Sequence, residues 1–174
     1  RKTYAAMVSA VDDGVGNIVS KLKEKGIYEN TIIYFLSDNG GRLRGDSDNG
    51  ELRGKKGNLF EGGIRVPFVM QWPAKVKGGQ IYNNPVISLD IFATSKALTS
   101  PNIASKNELH GVNLIPFLTG EKNHAPHDNL FWRNNLMQND PNLRVEASAV
   151  RNQKFKFIKN KEAVALYDLK NDIS

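Results

Sequence analysis

Cysteine is absent from all 174 residues. Its absence excludes disulfide staples, thiolate metal ligands and a cysteine nucleophile, but it excludes no redox compartment. Long hydrophobic runs are missing as well. No stretch approaches the roughly 20 apolar residues of a membrane-crossing helix, and Arg1, Lys2 and Thr3 lead into an amphipathic pattern rather than the apolar core of an export signal. Aromatic residues make up 9% of the chain and are not interleaved with the basic loop around residues 53–57, which argues against the stacking platforms that bind nucleic acid. Neither a membrane nor a nucleic acid is therefore an expected partner. What is present is a hydrophobic fraction of 40%, enough to bury one core. The 24 basic residues outnumber the 18 acidic ones to give +6, a charge that suits an anionic substrate or a merely solvated basic surface.

Along the chain, Tyr4, Met7, Val8, Val11, Val15, Ile18, Val19 and Leu22 recur on one helical face over about five turns. Lys21, Lys23 and Lys25 suit the negative end of the helix dipole, and Gly26 stands where a left-handed cap would end the helix. Gly14 and Gly16 would each weaken the helix by about 1 kcal/mol relative to alanine, so a close neighbour is expected against its backbone there. Residues 31–36 form a β-branched and aromatic run that reads as a central, parallel strand covered on both faces. Residues 64–72 read as a second buried strand, 81–87 as a third, 89–98 as a helix capped by Ser88, and 112–118 as a short helical turn. Beyond about residue 123 the texture becomes that of a small antiparallel sheet, with strands at 129–133, 147–158 and 163–169. The expected organisation is an α/β portion over 1–122 followed by a small antiparallel subdomain over 123–174.

The chemistry concentrates between the first two strands. Ser37-Asp38-Asn39-Gly40-Gly41 follows a strand directly, and open α/β sheets bind ligands at the carboxyl ends of their strands. Asp38 and Asn39 offer a carboxylate and an amide oxygen, hard donors suited to Ca²⁺ or Mg²⁺, although Asp-Asn-Gly is also ordinary turn chemistry and two ligands fall short of the six to eight that Ca²⁺ takes. The tetrapeptide Ser-Asp-Asn-Gly recurs at 47, but only the first copy follows a strand. The long loop between the strands carries Arg42, Arg44, Arg53, Lys55 and Lys56 against Asp46, Asp48 and Glu51. Its Arg53-Gly54-Lys55-Lys56-Gly57 segment sets cations on backbone freed by glycine, a means of bringing positive charge to an anionic oxygen.

The order Ser37-Asp38-Asn39-Gly40-Gly41, Leu52-Arg53-Gly54-Lys55-Lys56-Gly57 and Glu61-Gly62-Gly63-Ile64-Arg65-Val66-Pro67 resembles the formylglycine-dependent sulfatases. The likeness extends through Tyr4-Ala5-Ala6-Met7-Val8, Asp12, Trp72-Pro73, Ser88-Leu89-Asp90, Leu114-Ile115-Pro116-Phe117-Leu118, Ala149-Val150-Arg151 and Leu166-Tyr167-Asp168-Leu169. It implies part of an alkaline-phosphatase-like α/β/α sandwich followed by a small antiparallel-sheet subdomain. It also implies Asp38 and Asn39 as ligands of a Ca²⁺ ion, with Mg²⁺ as the alternative, and Lys56 as a lysine that contacts sulfate. Lys55 stands where that family has glycine. Arg53, Glu61 and Arg65 are expected to hold the loop by ion pairing, and His110, His124 and His127 to be surface or turn histidines.

That family attacks sulfur with a formylglycine gem-diol made from the cysteine or serine of a C/S-x-P-x-R signature. This chain has no cysteine, and none of its ten serines has proline two positions later. The resemblance therefore implies a sulfatase portion that lacks the nucleophile, truncated at both ends and inactive alone, with formylglycine in a missing N-terminal half. The implied substrate is a sulfate ester, with a sulfated polysaccharide as one candidate, and the implied location is periplasmic or secreted. The competing expectations are a non-catalytic module that binds sulfated polysaccharide and a phosphoesterase of the same superfamily.

Overall fold

The computed structural model describes residues 2–42, 47–99, 109–137, 144–161 and 164–173. Arg44 and Asp46 of the loop, and Ala163 of the last expected strand, lie outside them. Two compact units result, Arg1–Gly78 and Gly79–Ser174, so the C-terminal sheet shares its unit with the helix at 89–99.

The first unit opens with helix α1, Lys2–Glu24. It ends as the lysines and Gly26 require. Gly26 takes a φ of +69°, its N–H reaches the Lys23 carbonyl at 2.9 Å, and the Ile27 N–H reaches that of Leu22 at 3.1 Å, the paired bonds of a Schellman cap. No residue of α1 is buried within the described residues, and Tyr4, Met7, Val8, Val11 and Ile18 all stand exposed. Among the described residues the close neighbour expected at Gly14 and Gly16 is not there: a Cβ at either position would meet nothing within 4 Å. Gly14→Ala and Gly16→Ala are therefore each expected to stabilise this chain by about 1 kcal/mol. Helical circular dichroism followed through a thermal melt checks it, and a lowered midpoint would contradict it.

A 3₁₀ turn, Tyr28–Asn30, leads into β1, Ile33–Leu36. Its partner β2, Phe68–Gln71, runs antiparallel, with Ile33 opposite Gln71 and Leu36 opposite Phe68, rather than parallel as the apolar run suggested. Strand composition reports burial and not direction, and Phe35 and Val69 remain exposed, so the ribbon is not covered on both faces either. The expected strand over 64–72 is also shorter. Glu61–Ile64 forms a helical turn, α2, closed by the Arg65 N–H on the Glu61 carbonyl at 2.7 Å, and Pro67 has no N–H to give a ladder.

In the second unit no strand forms at 81–87, where Pro85 lacks a donor and Ile81 is fully open to solvent. Helix α3, Leu89–Thr99, follows within a residue of its expected bounds, and the turn expected over 112–118 narrows to the short α4, Ile115–Leu118. The sheet is a four-stranded meander: β3 (Leu130–Met137), β4 (Arg144–Arg151), β5 (Phe155–Lys159) and β6 (Val164–Asp168), each antiparallel to the next. The single stretch expected over 147–158 is thus two strands. Asn152 divides them, its Oδ1 accepting the N–H groups of Lys154 at 2.9 Å and Phe155 at 2.7 Å in an Asx turn. Alternation then sorts the faces: Leu130, Ala149 and Ile158 are buried, while Phe131, Phe157 and Leu166 point outward. The outward face carries a shallow groove of about 480 Å³ between Phe131, Arg133, Val150 and Phe157. Burial pushes the Asp168 carboxyl upward, but the Lys170 N–H, the Asn171 amide and the Lys154 charge outweigh it and hold it below the usual carboxylate value.

Candidate functional site

The three glycine-bearing segments that stood out in the sequence meet within the first unit. At the end of β1 the Ser37 N–H reaches the Pro67 carbonyl at 3.2 Å, tying the start of the turn to the chain entering β2. The Ser37 hydroxyl donates to the Asn39 carbonyl at 2.9 Å, which locks the turn. Asn39 donates its amide nitrogen to the Gly40 carbonyl at 3.1 Å, leaving its Oδ1 available to accept. Asp38 is exposed, and among the described residues its carboxylate takes part in no hydrogen bond or ion pair. Two oxygen donors of the hard type are thereby offered side by side, consistent in chemistry with a divalent cation.

Backbone contacts bring the other two segments to this turn. The Gly40 N–H donates to the Gly63 carbonyl at 3.0 Å, and the Gly62 N–H to that of Arg53 at 2.7 Å. The glycines are there for contact rather than for turn angles. A Cβ on Gly40 would lie 1.7 Å from the Gly62 oxygen, one on Gly62 2.4 Å from the Leu52 oxygen, and one on Gly63 2.2 Å from the Asn58 oxygen. The Lys56 N–H closes the arrangement on the Gly41 carbonyl at 3.0 Å, so the second lysine of the basic loop is one hydrogen bond from the oxygen-donor turn. Lys55 differs: its N–H turns away to Asn58 Oδ1 at 3.2 Å. Both lysines are exposed.

The supporting charges sit close by. Glu61 is only 3% exposed and pairs with Arg65 at 3.9 Å, while the Arg53 guanidinium stacks on Phe60 with 4.5 Å to the ring centre. The described residues hold no cluster of three or more histidine, aspartate or glutamate side chains disposed to bind a metal. Sequence reasoning missed Asn49, whose side chain bridges two of these segments; its place in the second Ser-Asp-Asn-Gly copy was the available signal.

His127, expected as a surface or turn histidine, lies in an irregular segment but not at the surface. In the second unit its Nε2 lies 2.9 and 3.0 Å from the two oxygens of Asp90, which is 0% exposed, and the imidazole itself is 9% exposed. The same carboxylate accepts the Ile87 and Val112 N–H groups, each at 2.9 Å. A buried carboxyl group needs such partners, but neither the burial of Asp90 nor the histidine that meets it can be read from Ser88-Leu89-Asp90; tertiary packing sets both. His110 and His124 are exposed as expected, His124 resting edge-on against Phe117.

Two family models match: one described as sulfatase over residues 1–100, and one described as N-sulphoglucosamine sulphohydrolase, C-terminal, over residues 54–174. The steryl-sulfatase of Mus musculus is 34% identical over 136 residues, 74% of this chain and 22% of that protein. Among solved structures, Ps i-CgsB in complex with k-i-k-neocarrahexaose aligns with a TM-score of 0.87 and 36% identity, covering 100% of this chain and 38% of that one. The phosphonate monoester hydrolase of Agrobacterium radiobacter aligns with a TM-score of 0.72 and 27% identity over 95% of this chain and 34% of its own. The chain thus spans about a quarter of the length of the curated relatives it matches.

Proposed function

The chain belongs to the sulfatase family, and from that premise we propose that it contributes Asp38 and Asn39 as Ca²⁺ ligands and Lys56 as the sulfate-binding residue of a sulfuric ester hydrolase, without supplying the nucleophile. Its fold is the corresponding part of an alkaline-phosphatase-like α/β/α sandwich with a small antiparallel sheet. The observation that carries the reading is the Lys56 N–H bond to Gly41, which holds the basic loop against the turn bearing the two oxygen donors. Asp38 and Asn39 account for two of the roughly six to eight oxygens around Ca²⁺, so the others would come from outside this turn. The ion would supply fixed positive charge where the sulfuryl oxygens gather negative charge. Lys56 adds a second cation at the anion. The Ser37 and Asn39 hydrogen bonds keep the donor turn from relaxing when substrate arrives. A saccharide sulfate ester is the proposed substrate class, supported by the complex of Ps i-CgsB with k-i-k-neocarrahexaose. Export to the periplasm or the medium belongs to the same reading.

Two measurements test it on the 174-residue chain. Prepared free of any other sulfatase, it is expected to leave an aryl sulfate intact, and turnover above the buffer blank would overturn the missing nucleophile. Inorganic sulfate titrated against the backbone amides of residues 53–57 should bind about tenfold or more weakly to Lys56→Ala, the loss of one charge-assisted hydrogen bond. Lys55→Ala should bind nearly as wild type; a larger loss there than at Lys56 would move the assignment to Lys55.

The likeness to a phosphonate monoester hydrolase favours a second reading, phosphoryl or phosphonyl transfer at the same site. Phosphate displacing sulfate in that titration at much lower concentration would support it. A third, a non-catalytic module for sulfated polysaccharide, requires binding that weakens with salt and ignores calcium.

A further inference from the structure

The tetrapeptide Ser-Asp-Asn-Gly occurs twice, and the proposed function uses only the first copy. The second, Ser47-Asp48-Asn49-Gly50, follows no strand, yet it is built with care. Asp48 Oδ1 accepts the Gly50 N–H at 2.9 Å, and Gly50 takes a φ of +60°. That turn presents the Asn49 side chain to two loops at once. Its Oδ1 accepts the Gly41 N–H at 2.8 Å, and its Nδ2 donates to the Gly54 carbonyl at 2.9 Å, with a weaker approach to the Gly41 carbonyl at 3.4 Å.

We propose that Asn49 is the positioning residue that sets the spacing between the Asp38-Asn39 turn and Lys56. The Gly41 carbonyl that receives the Lys56 N–H belongs to the same residue whose N–H the Asn49 oxygen holds. The segment it steadies has no regular ladder of its own: Gly54 and Gly57 lie at φ values of +94° and +88°, on either side of the two lysines. Cross-bonds therefore place Lys56: beside its own N–H bond to Gly41 and the Gly62 N–H bond to Arg53, one amide, that of Asn49, ties Gly54 to Gly41. Only a side chain with both a donor and an acceptor on a short stem can do this. Aspartate keeps the bond to the Gly41 N–H and loses the one to Gly54; alanine loses both. What that spacing serves rests on the sulfatase reading above, and the experiment separates the two.

Wild type, Asn49→Asp and Asn49→Ala are compared by amide hydrogen exchange and by titration with inorganic sulfate. For Asn49→Ala the Lys56 amide is expected to exchange about tenfold faster or more, and sulfate to bind about tenfold more weakly, while the β1 and β2 amides keep their protection. Asn49→Asp should fall between the two, a graded rescue that general loosening would not give, and it serves where alanine prevents folding. Unchanged exchange at Lys56 in both variants overturns the brace. Faster exchange with unchanged sulfate affinity overturns the positioning role. If wild type binds no sulfate yet Lys56 still loosens, the sulfate reading falls and Asn49 is a structural brace only, which also overturns its positioning role.

Discussion

Gly40→Ala is expected to cost about 3 kcal/mol of unfolding free energy or more, placing it among the most damaging single substitutions available to the first unit. The added methyl would lie 1.7 Å from the Gly62 oxygen, 2.8 Å from the Gly62 carbonyl carbon and 3.0 Å from the Gly63 Cα. All three are backbone atoms, so no flexible side chain can swing aside. The loops must separate, and the Gly40 to Gly63 hydrogen bond goes with them. Urea unfolding measures the effect, provided the slope is unchanged so that the midpoint reports stability. Gly14→Ala is the control, since the same methyl there meets nothing within 4 Å. A Gly40→Ala chain within about 0.5 kcal/mol of wild type would mean that the three glycine segments are not interlocked as described.

The second large effect concerns Asp90. Truncation to alanine removes the common acceptor of the Ile87 N–H, the Val112 N–H and the His127 Nε2, all within 3.0 Å of its carboxylate. Removing it leaves two backbone N–H groups and the imidazole desolvated and unsatisfied, at about 1 to 3 kcal/mol for each group left without a partner. Thr94 holds the same connecting segment from one turn further along α3, its hydroxyl accepting the Leu114 N–H at 3.0 Å, so residues 112–114 should loosen but not detach. Hydrogen exchange at Val112 should rise well before that at Leu114. A double-mutant cycle with His127→Ala should give a coupling of about 1 kcal/mol or more. Additive single effects would show that the imidazole and the carboxylate act independently, contrary to the geometry.

The sequence alone determined a good deal, because the relevant signals are local. The 3.6-residue recurrence from Tyr4 to Leu22 and the cap at Gly26 specify α1, and the texture beyond about residue 123 specifies a small antiparallel sheet, but not its buried face: Lys156 and Ile158 lie inward while Phe155 and Phe157 are exposed. Asp38, Asn39 and the Lys55-Lys56 pair could be singled out because chemistry that must face a ligand lies in loops between strands. The order of the three glycine motifs carried the family.

Tertiary structure decided what distance in the chain conceals. That β2 runs antiparallel to β1 is decided by the fold, since strand composition does not set direction. Asn49 and Gly54 are near neighbours in sequence, but nothing local says that one amide spans from Gly54 back to Gly41. Gly40, Gly62 and Gly63 look like ordinary turn glycines until the chain folds and their backbones touch. Asp90 and His127 stand 37 positions apart, and a carboxylate seeking a donor chooses by proximity in space, which the linear order of residues does not encode.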